Sequence, residues 1–90
     1  MSNVLHALSD PVRLEIVRAL DESPELSCGR LAAPVTKSTL SHHLKVLRDA
    51  GVTRTRVDGT QRLVSLRSDD LEARFPELLQ CVLRGARAAA

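Results

Sequence analysis

Hydroxyls, an imidazole and ammonium groups recur at short intervals in TKSTLSHHLKVL, positions 36–47 of this 90-residue chain. On a helix, Ser38, Ser41, His42 and Lys45 repeat three or four residues apart on one face, while Leu40, Leu44 and Leu47 form an apolar stripe on another. These polar groups donate and accept hydrogen bonds or carry positive charge. That chemistry suits recognition of base edges and phosphates better than bond making.

The remaining candidates for chemistry are sparse. His6, His42 and His43 share no metal-ligand spacing, and Cys28 and Cys81 have no CxxC arrangement. No phosphate loop, carboxylate pair or nucleophile with an evident base is present, so nothing indicates an enzyme or a cofactor. The adjacent His42 and His43 resemble a metal pair only superficially. His43 lies three and four residues from Leu40 and Leu47 and is expected to pack, while His42 faces outward.

Charge supports a polyanionic partner. Residues 36–67 hold Lys37, Lys45, Arg48, Arg54, Arg56, Arg62 and Arg67 against Asp49 and Asp58, a net charge of +5. The other six basic and nine acidic residues give −3, so a basic block is flanked by acidic segments. Phe75 is the sole aromatic residue, which removes any platform for stacking unpaired bases and points away from single-stranded ligands. With 43% apolar residues the chain is expected to fold as one small domain, at positions 1–90. It carries no apolar run of membrane-spanning length and no signal-peptide pattern, so a cytoplasmic location without membrane association is expected.

Several elements are needed to position the polar helix. Residues 1–9 carry Val4, Leu5 and Leu8 at helical spacing. Asp10-Pro11 starts a scaffold helix over 11–20, with Arg13, Glu15 and Arg18 expected in water. Ser27 is expected to cap a short helix ending before Pro34, and Thr36 to cap the next, making 27–47 a helix-turn-helix. Residues 52–57 and 60–66 read as strands around Asp58-Gly59, so 52–66 forms a hairpin wing with Arg54, Arg56 and Arg62 near its tip. A helix restarts at Ser68, and Pro76 either kinks it or, as we expect, begins a fresh one. Over 75–87 Leu78, Leu79, Val82 and Leu83 form a stripe expected, with the N-terminal helix, to bury a dimer interface, unless it folds back on its own domain. The fold class is mainly α with a small β-hairpin.

In that order, HALSDPVRLEIVRAL followed by STLSHHLKVLRDAGVTRTRVDGTQRLVSL resembles the ArsR/SmtB family of dimeric winged-helix repressors over nearly the whole chain. The resemblance implies a homodimer bound to double-stranded operator DNA. It also implies that Lys37, Ser38, Ser41 and His42 read bases, with Lys45, Arg56 and Arg62 nearer phosphate. The family's metal sensors often carry ELCVCDL before the turn. Here Glu25-Leu26-Ser27-Cys28-Gly29-Arg30-Leu31 puts Ser27 and Gly29 at the sulfur positions and Cys28 at a core position, and the terminal helix has no histidine. Neither metal site is therefore expected, and the effector is open. One alternative is a redox- or sulfide-responsive repressor in which Cys28 and Cys81 meet. Another is a winged-helix module that binds protein.

Overall fold

A computed structural model describes residues 2–31 and 35–89. The elements run α1 (Ser2–Leu8), α2 (Pro11–Glu22), β1 (Leu26–Ser27), a 3-10 turn (Cys28–Arg30), α3 (Lys37–Asp49), β2 (Thr53–Asp58), β3 (Gln61–Leu66), α4 (Ser68–Arg74) and α5 (Leu78–Ala89). Helices thus dominate around a small antiparallel sheet, as the residue pattern anticipates. Among the described residues no helix is long and apolar enough to cross a membrane.

Helix α2 begins as its residues dictate. Asp10 accepts hydrogen bonds from the amides of Val12 (3.0 Å) and Arg13 (3.1 Å), and Pro11 occupies the first turn, where its missing N–H costs nothing. Ile16, Val17 and Leu20 bury one side of it. Thr36 caps α3 by accepting from the Thr39 amide at 3.3 Å. That helix runs to Asp49 and stops at Ala50-Gly51, as those residue types lead one to expect, with Gly51 at φ +82°, a left-handed conformation that a Cβ would strain.

Two expectations before α3 are revised. Where the short helix was expected to begin, residues 26–30 form β1 and a single 3-10 turn, and Ser27 makes no capping bond. Leu26 and Ser27 pair instead with Val64 and Leu63, because the outer edge of β3 offers backbone partners that an uncapped short helix lacks. The stop expected at Pro34 lies outside the described residues. Consequently the wing is not a free hairpin: the sheet has three strands in the order β1-β3-β2. Its turn is also shifted by one residue, since Asp58 pairs with Gln61 and leaves Gly59 and Thr60 as the loop, with Gly59 at φ +62°.

After the sheet, Asp69 and Asp70 occupy the first turn of α4, where free amides favour negative charge. Pro76 separates α4 from α5, so the last helix is indeed a fresh start, entered through Glu77 at φ +66°, whose N–H donates to Glu72 Oε2 at 3.1 Å. Four residues read as dimer contacts, Val4, Leu8, Leu79 and Leu83, are buried in the chain's own core together with Val17, Leu47, Val52 and Val64. A small domain needs those side chains for itself. Of the same set, Leu5 is exposed and Leu78 and Val82 are half-buried.

Thr53 is the exception in this core. Its side chain is buried and its Oγ1 is the one fully buried side-chain polar atom without a hydrogen-bond partner among the described residues. An unsatisfied buried hydroxyl is costly, and Val has the same shape. Thr53→Val is expected to stabilise the fold by about 1 kcal/mol, a rise in Tm of about 4–8 °C for a domain this small, read by thermal denaturation.

Candidate nucleic-acid interface

The polar face of α3 is only useful if its opposite face is fixed, and the fixing group is Arg13. This residue, expected in water, is 7% exposed. Its Nε donates to the Ala7 carbonyl at 2.7 Å, its Nη2 to the His6 carbonyl at 3.3 Å, and its Nη1 to His43 Nδ1 at 3.1 Å. The last bond requires Nδ1 to accept, which puts the neutral ring's proton on Nε2. One guanidinium therefore satisfies the carbonyl end of α1 and ties it to the middle of α3. No shorter side chain has the donors or the reach.

Asp10 completes the junction, with its Oδ2 3.8 Å from His43 Nδ1. Partial desolvation pushes its carboxyl up, but the Arg13 amide, the neighbouring His43 ring and Arg13 guanidinium, and the Val12 amide together hold it below the ordinary carboxylate range. His43 is thus packed as its spacing indicated, buried beside Leu47, while His42 is exposed with its ring centroid 5.8 Å from that of His43.

The outer side of α3 presents what the sequence placed there. Lys37, Ser38, Ser41, His42 and Lys45 are all exposed, and Leu40 and Leu44 are half-buried beneath them. The hydroxyls of Thr36, Ser38 and Thr39 form a local cluster at the helix entrance, with Thr36 Oγ1 3.2 Å from Ser38 Oγ and 3.0 Å from Thr39 Oγ1. Lys45 is held back along the helix by Asp49 at 2.7 Å, and the bond keeps the Asp49 carboxyl below its ordinary value.

The wing arginines do not form one cluster. Strand side chains alternate between faces and directly paired residues share one, so Arg54 and Arg56 lie on one face while Arg62, opposite Val57, lies on the face of Thr55 toward α3. Arg56 donates twice to Glu25, at 2.7 and 2.8 Å; that bond lowers the Glu25 carboxyl and raises the guanidinium. Arg54 lies 3.4 Å from Asp70. Glu25 and Asp70 are 31 and 16 residues from their partners, so no local spacing announces either pair. Exposed pairs of this kind are screened by water and salt and contribute little, so a phosphate can replace the carboxylate.

Cys28 is half-buried on the 3-10 turn, Cys81 is exposed on α5, and both are free thiols. Among the described residues no three His, Cys, Asp or Glu side chains are grouped to hold a metal ion.

A helix-turn-helix domain profile matches residues 8–56, more than half of the chain. The chain is 43% identical over 82 residues to the HTH-type transcriptional regulator YceK of Bacillus subtilis, covering 88% of this chain and 82% of that protein. It is 37% identical to the arsenical resistance operon repressor of Staphylococcus xylosus over 80% of this chain and 70% of that one. A solution structure described as the homodimeric winged helix-turn-helix DNA-binding domain of Mb0332 from Mycobacterium bovis, a possible ArsR-family regulator, superposes with a TM-score of 0.75. That match has 25% identity and covers 99% of this chain and 82% of that one.

The junction under α3 makes a pH-dependent contribution whose sign follows from Asp10. A carboxyl lowered by folding stabilises the native state above its unfolded value, about pH 4, and loses that contribution as pH falls through the folded value. Asp10→Asn is therefore expected to lower stability at pH 7, with the difference from wild type shrinking below about pH 4 in urea titrations.

Proposed function

The chain belongs to the ArsR family of winged helix-turn-helix transcriptional regulators, and on that basis we propose that it is a repressor binding operator DNA as a homodimer. The observation that carries this reading is the geometry of α3. A capped helix is anchored on one side through His43 and Leu47 and carries an uninterrupted polar face on the other, beside a basic hairpin. A helix of this kind enters the major groove with its first turns against base edges.

The roles follow from side-chain chemistry. Ser38, Ser41 and His42 hydrogen-bond base edges, and Lys37 at the helix entrance reaches guanine or the adjacent phosphate. Lys45 and the wing residues Arg54, Arg56 and Arg62 contact the backbone, Arg56 by exchanging Glu25 for phosphate. The two protomers meet through the apolar surface that the core leaves accessible, Leu5 on α1 with Leu78 and Val82 on α5. The Mycobacterium bovis domain, described as homodimeric, supports the same assembly here. The protein-interaction alternative would need apolar side chains on the outer face of α3, where Ser38, Ser41, His42 and Lys45 stand instead.

Selection of bound fragments from genomic DNA, followed by gel shifts, tests this reading. Ser41→Ala and His42→Ala are expected to cost about 1–3 kcal/mol on the selected site and to relax its sequence preference. Lys45→Ala should weaken all sequences alike and flatten the salt dependence by about one unit per lost phosphate contact. Equal loss on selected and random DNA for all three variants would contradict the division of roles. In parallel, Leu5→Glu with Val82→Glu is expected to yield monomers by sedimentation and to abolish the selected-site complex. Retention of a dimer would move the interface elsewhere.

A further inference from the structure

A second repeat runs along α3, on the flank where its outer face turns toward the sheet. Lys37, Leu40, Ser41, Leu44, Lys45 and Arg48 recur at helical spacing and line one side of a cavity of about 530 Å³ between this helix and the hairpin. Thr55 and Arg62 close it from the sheet and Cys28 from the 3-10 turn. Lys37, Lys45, Arg48 and Arg62 thus converge on one space, against Asp49 bound to Lys45. Among the described residues Lys37 and Arg62 form no ion pair of their own.

Positive charge at the rim and half-buried leucines on the wall are a mixed chemistry. A DNA backbone would satisfy the cations but would gain nothing from Leu40, Leu44 or the Cys28 thiol. A ligand with an anionic head and a compact apolar body satisfies both, and the volume lies within the range of small-molecule pockets, about 300–1,000 Å³. We propose that this cleft binds a small amphiphilic anion, and that its occupant competes with DNA. The competition rests on the DNA-binding reading, because Lys37, Ser41, Lys45 and Arg62 would serve both ligands. Regulation would then need no metal and no distant relay.

The probe is 8-anilinonaphthalene-1-sulfonate, an apolar anion whose fluorescence rises on binding, titrated without DNA and then against a selected operator fragment. Thr55→Phe fills the cavity, and Arg48→Gln removes a cation from it; neither residue belongs to the proposed DNA contacts. Each variant is expected to weaken the probe about tenfold while operator affinity stays within about twofold of wild type. The probe should also displace operator from wild type and much less from Thr55→Phe. Equal probe binding by wild type and both variants overturns the site, since the probe then occupies other apolar surface. Parallel loss of probe and operator in both variants also overturns it, because Thr55 and Arg48 then serve DNA binding itself and not a separate ligand. Should Thr55→Phe fail to fold, Arg48→Gln decides alone. Wild-type gel shifts without probe report separately on the DNA-binding reading: no shift there, with probe binding still sensitive to Thr55 and Arg48, sinks that reading and the competition but leaves the site.

Discussion

The buried guanidinium of Arg13 is the constraint from which the rest of the interface follows. The Ala7 carbonyl at the end of α1 and the His43 imidazole on the inner side of α3 both need a donor in a space that water scarcely reaches. Arg13 supplies donors to both at once, while the Asp10 carboxylate, which caps α2, lies in the field of its charge. A buried charge stripped of one partner is expensive, which makes this junction intolerant of alternative packings. The angle at which α3 leaves the core is set there and by Leu47, and every outward group on that helix inherits it.

The electrostatics of the outer surface are of the opposite kind. Arg56 with Glu25, and Lys45 with Asp49, are exposed pairs that water and salt screen, so they hold side chains in place without committing them. A polyanion offers the same cations a denser field. The fold therefore combines a rigid inner junction with an outer layer of exchangeable partners, an arrangement suited to a surface that must bind and release. Its third strand adds to this: β1 pairs with the middle of β3, so the hairpin is braced along its outer arm, and Glu25 just before β1 can reach Arg56.

Much of this was legible from residue order. Asp10-Pro11, Thr36, Ala50-Gly51 and the alternating strands around Gly59 carry local signals, and each marks a real boundary or turn to within a residue or two. His43 was readable as packed because its spacing from Leu40 and Leu47 is local. What escaped is what depends on distant contacts. Nothing near Arg13 says that its side chain will meet a histidine 30 residues on, nor does the Ser27 region announce that its backbone will pair with β3 rather than coil. Burial of Val4, Leu8, Leu79 and Leu83 in the chain's own core was equally invisible, because an amphipathic stripe shows that a face needs cover and not which surface provides it.

In the proposed complex α3, held by Arg13 and Leu47, meets DNA with its outer face while the hairpin grips alongside. Backbone amide chemical shifts of isotope-labelled protein, followed through a titration with a selected operator duplex, test it most directly. The largest changes are expected within residues 36–45 and 54–62, with the amides of α2 little altered. Changes concentrated on α1 and α5, with residues 36–45 unmoved at saturation, would contradict it.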